Sequence, residues 1–418
     1  MSQPTPFLSR GAILVASSLL VNLGNYGFNL LAGRLVAPAS YGEISLLVTL
    51  VLALSFAAMG FQLTATRFPG ARGLLTRLAW RGGGAAAVLL LAGAGFLQDF
   101  FHLSSPWPVC LVALAIPLFW VMSVGRGVLQ GQLFYAKLAG TYQLELWVRA
   151  GLGLGLLALG FGPLGVAIGL VASLVAAFFL TLPHTRRPPA PELLSGAEAR
   201  VIYQFFGVTI AYELSQILIN NSDVLLVKHF FGTHEAGLYA ALAMIGRVVY
   251  FGTWSVVMVL FPAVIEQQRR GLPTAHLFRG SLALVGGIAA CLVVACYLFP
   301  EAIVRLLFGS QYLAIGVHLW AYAAATALFA LANVFVYYHL SFSRRGPVVL
   351  AALAGLVQVV LIWLFHGSLA TVVLDQVVAM AALVLSLGIY QAWVPVFSRP
   401  SVAENAGNTS LQCRPLAA

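Results

Sequence analysis

Charge is scarce in this chain of 418 residues, where Asp, Glu, Lys and Arg make up 8% of the sequence, against about 25% in ordinary soluble domains. So few polar side chains cannot cover a water-soluble fold of this size. Cysteine is sparse too. Cys110, Cys291, Cys296 and Cys413 are scattered and lack histidine companions, which excludes a disulfide frame, a metal site or a redox motif. No phosphate-binding loop is present either. Gly151, Gly153 and Gly155 lie in an apolar run with a GxxxG spacing suited to close helix approach.

What is abundant is hydrophobic: 61% of the residues, with a mean hydropathy of +0.95. The exterior of such a chain faces lipid. Windows of about 19 residues place six spans at 11–31, 44–66, 82–101, 109–129, 138–159 and 164–182, and six more at 201–222, 237–261, 280–299, 313–340, 347–365 and 369–391. The expectation is therefore an all-α polytopic membrane protein of about twelve transmembrane helices, divided into a six-helix lobe (1–182), a polar linker (183–200), a second six-helix lobe (201–392) and a tail (393–418). Arg10 precedes a long apolar stretch without a cleavage site, which reads as an uncleaved first span.

A net charge of +10 would suggest nucleic acid in a soluble protein, but here the basic residues sit between apolar runs and report topology instead. Arg67, Arg72, Arg77, Arg81, Arg126, Lys137, Arg344 and Arg345 are among those that fall on one side, and only Arg34, Lys228 and Arg305 fall on the other. That bias puts both termini in the cytoplasm and excludes a nucleic-acid partner.

The two halves look related. Residues 29–42 read NLLAGRLVAPASYG and residues 223–237 read DVLLVKHFFGTHEAG, matching with one inserted residue, so that Arg34 falls on Lys228 and Gly42 on Gly237. Internal repeats with a site at their interface are a hallmark of alternating-access transporters.

A charge in mid-span costs about 2.5–3.5 kcal/mol and asks for a partner or a cavity. Glu145 and Arg149 in the fifth span are spaced i, i+4 and can neutralise one another. Glu213 in the seventh and Arg247 in the eighth have no local partner; they either pair across adjacent spans or, for Arg247, face a cavity that takes an anion. Asp375 lies nearer an interface. The first span carries Asn22, Asn25 and Asn29, and the seventh carries Glu213, Gln216, Asn220 and Asp223; each set falls within about 80° of arc, one polar stripe per helix. Under the repeat, Asn22 falls on Gln216 and Asn29 on Asp223, as two lobes facing one pathway require. The other reading is interhelical hydrogen bonding. Tyr26 beside the first stripe reads as packing.

The segment NLLAGRLVAPASYGEISLL, its counterpart AGLYAALAMIGRVV and the stretch GVLQGQLFYAKLA resemble the polysaccharide transporter branch of the multidrug, oligosaccharidyl-lipid and polysaccharide exporter superfamily, over about residues 10–392. The resemblance implies two six-helix lobes around a central cavity in the bacterial cytoplasmic (inner) membrane, flipping an undecaprenyl-diphosphate-linked oligosaccharide by alternating access. It implies no enzyme activity and no cofactor. Arg149 and Arg247 are the expected diphosphate ligands, with Asn22, Asn25, Asn29, Gln216 and Asn220 as further substrate contacts. Glu145, Glu213, Asp223 and Asp375 are the carboxylates available to couple proton or sodium entry. Membrane lipids and other polysaccharide-assembly proteins are the expected partners. The competing readings are an ion-coupled exporter of amphipathic small molecules, which calls for unpaired acids at midplane, and a membrane polymerase or glycosyltransferase, which calls for a large outer loop.

Overall fold

The computed structural model describes residues 6–186, 196–342 and 344–393, so most of the linker and the tail from 394 onward lie outside the described residues. Within them every regular element is helical. The bilayer offers backbone groups no partner, and a helix satisfies its own. The first half comprises α1 (Pro6–Leu35), α2 (Pro38–Arg67), α3 (Arg72–Ala92), α4 (Ala94–Phe100), α5 (Trp107–Gly131), α6 (Tyr135–Ala158) and α7 (Gly162–Arg186). The second half comprises α8 (Gly196–Phe230), α9 (Thr233–Gly246), α10 (Val248–Arg269), α11 (Ala275–Leu298), α12 (Pro300–Leu307), α13 (Gly316–Leu340), α14 (Gly346–Leu364) and α15 (Leu369–Trp393).

Nine of the helices, among the described residues, are long and apolar enough to cross a membrane. The chain is a multi-pass α-helical membrane protein. The expected first, fifth and eighth spans are not among the nine. The first carries three asparagines, the fifth carries Glu145 and Arg149, and the eighth is broken at Arg247 into helices of 14 and 22 residues. A second break, at Gly93, separates α3 from α4 within the third expected span. At the linker, α7 runs on to Arg186 and α8 starts at Gly196, so helix occupies both ends of the segment expected to be irregular.

Helices α1 to α7 pack among themselves, as do α8 to α15, and α2 crosses between the two groups to lie against α8 and α9. That crossing depends on glycine. A Cβ on Gly42 would stand 3.0 Å from the backbone nitrogen of Gly237, and one on Gly237 would overlap the carbonyl of Pro38. Gly42 and Gly237, which the sequence alignment of the two halves places opposite one another, are the residues at which α2 and α9 touch. In α6 the close approach to α7 uses Gly153 against Gly169, whereas Gly151 and Gly155 have nothing beside them. The GxxxG pair therefore does not make the contact, because it lies off the face that α6 turns to α7.

On the orientation set by the charge bias, the outer end of the seam between the halves is closed. Tyr312 donates to the carbonyl of Gly33 at 3.0 Å and Gln311 to that of Val36 at 3.0 Å. Arg34 donates from Nε to Leu307 O at 2.9 Å and from Nη2 to Leu306 O, satisfying carbonyls that the end of α12 leaves unpaired. Tyr41 packs edge-on against Phe308 and Tyr312 in a core shared by both halves. Arg126 and Lys228, read as loop charges, are both buried within helices.

Candidate functional site

Beneath that closure lies a chamber of about 270 Å³ walled by α1, α2, α6, α7, α8 and α9, with Arg247 at the α9–α10 break. Its polar wall is formed by Asn22, Asn25 and Asn29 of α1, Ser45 and Thr49 of α2, Arg149 of α6 and Arg247. Both charged groups in the wall are guanidinium groups.

Arg149 is held from α1. Its Nη2 donates to Asn25 Oδ1, while its Nε is buried without a hydrogen-bond partner among the described residues. The ring of Phe28 lies 5.7 Å from the guanidinium carbon. No carboxylate pairs with it among the described residues. Glu145, expected to neutralise it from one turn away, turns instead to Arg126 of α5 at 2.7 Å. Arg126 also donates to Thr141 Oγ1 at 3.0 Å and to Thr141 O at 3.2 Å. The physical reason is competition. Across the α5–α6 interface Glu145 finds a guanidinium that already has fixed partners, and an interhelical pair with several hydrogen bonds outweighs one intrahelical contact on a wall.

Arg247 is partly neutralised. Its Nη2 lies 3.5 Å from Asp223 Oδ1 and its Nη1 lies 3.4 Å from Asn221 Oδ1, both on α8. Its carboxylate partner is Asp223 and not Glu213, which lies almost three turns earlier on α8 and outside the chamber wall. Asp223 is fully buried, and its Oδ2 accepts from Tyr322 at 2.8 Å and from Tyr239 at 3.2 Å. With that many donors it is a fixed counter-charge set behind Arg247. Arg247 also borders a second, small pocket of about 30 Å³ shared with Asn220, Gln358 and Gln376.

The two stripes therefore have different fates. Asn22, Asn25 and Asn29 all reach the chamber, with Asn29 Nδ2 also donating to Asn25 O at 2.9 Å. In the second half, Asn220 borders the small pocket and donates back to Gln216 O at 2.8 Å, while Gln216 is not in either wall. Asp375 is buried in α15 away from the chamber, and its Oδ2 has no partner among the described residues.

Over residues 30–316 the sequence matches the family described as "Polysaccharide biosynthesis protein". The chain belongs to that family. Its fold is similar to that of the lipid II flippase MurJ in an inward closed conformation, with a TM-score of 0.73 and 13% identity over 92% of this chain and 88% of that one. It is also similar to a multidrug resistance MATE family transporter of the MOP superfamily in an inward-facing conformation, with a TM-score of 0.66 and 15% identity over 91% of this chain and 98% of that one. A MATE transporter from Vibrio cholerae aligns with a TM-score of 0.59 and 15% identity over 93% and 98% of the two chains. No curated protein matches in sequence. The exporter superfamily that the motifs resemble is thus the one whose fold this family member has.

In this polysaccharide biosynthesis protein several site residues escape a reading of the sequence. Tyr26, read as packing, lines the chamber, as do Tyr41, Ser45 and Thr49 of α2. Single hydroxyl groups in an apolar run give no signal at helical spacing. Tyr239 and Tyr322 of the Asp223 cluster lie on helices far apart in the chain. Arg126 carried a charge that could have marked it, but its place near the end of a span made it look like a loop residue.

Proposed function

We propose that the protein carries a lipid-linked oligosaccharide with a diphosphate link, of the undecaprenyl-diphosphate type, from the cytoplasmic to the outer leaflet by alternating access of two six-helix halves. The observation that carries this reading is the chamber wall, with two guanidinium groups and no carboxylate. Guanidinium is planar, permanently charged and shaped for phosphate oxygens. Arg149, with a buried Nε lacking a partner, is the better placed of the two to take an anion. Family membership supports a substrate from polysaccharide assembly, and the fold is one used by a lipid II flippase. The protein carries its substrate chemically unchanged, and the membrane is the bacterial cytoplasmic membrane. Asp223 is saturated with donors and Glu145 is paired, which leaves Glu213 and Asp375 as the carboxylates for proton or sodium coupling.

A cation exporter would place acids in the chamber, and this wall has none. The test is the appearance of lipid-linked sugar on the outer face of vesicles carrying Arg149→Ala. Because Arg149 has no carboxylate partner, its removal strands no buried charge and folding is kept. We expect transport to fall by about tenfold or more, the equivalent of at least one charged hydrogen bond, with Arg149→Lys partly active. Unchanged transport in Arg149→Ala at normal expression overturns the reading.

A further inference from the structure

A second cavity adjoins the arginine chamber, and its walls have a different chemistry. It measures about 320 Å³ and is bounded by Ser18 and Asn22 of α1, Gln62 of α2, Gln130 of α5 and Tyr142 of α6, with Val21 and Leu138 between them. Its wall contains amides and hydroxyls and no charged side chain. Asn22 belongs to the walls of both cavities, so the two border one another at that residue. The asparagine stripe that begins at Asn29 continues to Ser18 along the same helix. At 1.5 Å per residue the second cavity is displaced by roughly one to two turns toward the end of α1 that the charge bias makes cytoplasmic.

The polar groups here are held in place. Gln62 Nε2 lies 2.8 Å from Gln130 Oε1 and 2.9 Å from the Tyr142 hydroxyl, which in turn is 3.1 Å from Gln62 Oε1. Behind Tyr142, the Arg126 guanidinium sits 4.1 Å from the ring centroid, fixed by its bond to Glu145. Gln62 is thereby a positioning residue, its amide spent on its neighbours. Gln130 Nε2, Asn22 and Ser18 make no side-chain hydrogen bond among the described residues, although each borders the cavity. Amides that both donate and accept suit ligands whose hydroxyls do the same, and a fixed wall lowers the ordering cost of binding them. A carboxylate-bearing or amino sugar would give up part of its hydration there and find no counter-charge in the wall.

Resting on the lipid-diphosphate reading above, we propose that this cavity is a binding site for the sugar next to the diphosphate, and that it selects a neutral, hydroxyl-rich or N-acetylated sugar. The chamber of about 270 Å³ takes the diphosphate and the second cavity takes the first sugar, with Asn22 at the junction. Gln130 is the specificity-determining residue.

Three soluble-tailed probes test this on the purified full-length protein: farnesyl diphosphate, the same diphosphate bearing N-acetylglucosamine, and the same diphosphate bearing glucuronic acid. The wild type binds the N-acetylglucosamine probe about tenfold more tightly than farnesyl diphosphate, a difference of about 1.4 kcal/mol, and tighter than the glucuronic acid probe. Gln130→Ala reduces the first ratio to within about twofold. Gln130→Lys, which supplies a cation to the wall, turns the preference toward glucuronic acid, an outcome that a merely unfolded variant cannot produce. Arg149→Ala weakens all three probes and keeps their order. If the wild type binds farnesyl diphosphate and the N-acetylglucosamine probe equally, or if Gln130→Ala keeps their ratio, the sugar site is overturned and the anion chamber stands. If the wild type binds none of the three, both readings fall.

Discussion

Arg149 and Arg247 carry the same charge into the same chamber, yet their surroundings make them respond differently to removal. Arg247 faces a buried carboxylate, so Arg247→Ala leaves Asp223 uncompensated except for two tyrosine hydroxyls. Removing one member of a buried pair costs about 3–5 kcal/mol. We expect Arg247→Ala to lower the thermal unfolding temperature clearly, and Arg247→Ala combined with Asp223→Asn to recover most of that loss, read by melting in detergent. Equal melting of the single and double variants would show that the pair is not coupled. Arg126 and Glu145 follow the same logic on the other side, where Arg126→Ala orphans Glu145 and releases Tyr142 from beneath its guanidinium.

Helices α2 and α9 meet at Gly42 and Gly237, and that contact holds the outer end of the seam. A methyl group at 237 cannot be accommodated without moving α9 away from Pro38. Gly237→Ala therefore favours states in which the outer end is open. A cysteine pair at Val36 and Gln311, whose parents are joined by a 3.0 Å hydrogen bond, reports this directly. In a background without native cysteines, bridging of these positions by a short bifunctional thiol reagent, which spans the length of a glutamine side chain, is expected to be efficient in the parent and several-fold weaker with Gly237→Ala. Undiminished crosslinking would mean that the seam tolerates the methyl group by local adjustment. The amphipathic α12 belongs to the same closure, because Arg34 of the opposite half binds its last carbonyls.

For the molecule as a whole, the distribution of Lys and Arg assigns the closed end of the seam to the outer face. A membrane-impermeant thiol reagent added to intact cells is then expected to label Gly367→Cys, between α14 and α15, and to spare Leu272→Cys, between α10 and α11. The reverse pattern would put the closed end of the seam on the cytoplasmic face. Gly42 and Gly237 meet at the α2–α9 crossing, but the two halves line the chamber differently. The first half supplies a full polar stripe and an arginine without a carboxylate partner. The second half supplies an arginine held against Asp223, while Gln216 and Glu213 of its stripe lie outside the wall.

Composition and periodicity were enough to read a polytopic helical membrane protein with its polar residues on α1, α6, α8 and the eighth span, because burial in lipid leaves its mark on every residue of a helix. Of the short motifs that pointed to the family, the two around Gly42 and Gly237 lie where the halves touch. Partner choice was another matter. Glu145 took Arg126 across an interface in preference to Arg149 on its own helix, Asp223 collected Tyr239 from the next helix and Tyr322 from the distant α13, and the cavity at Gln62, Gln130 and Tyr142 brings together three residues with no pattern in the chain. Pairing depends on distance in space between helices, and the one-dimensional order of residues holds no record of it until the helices pack.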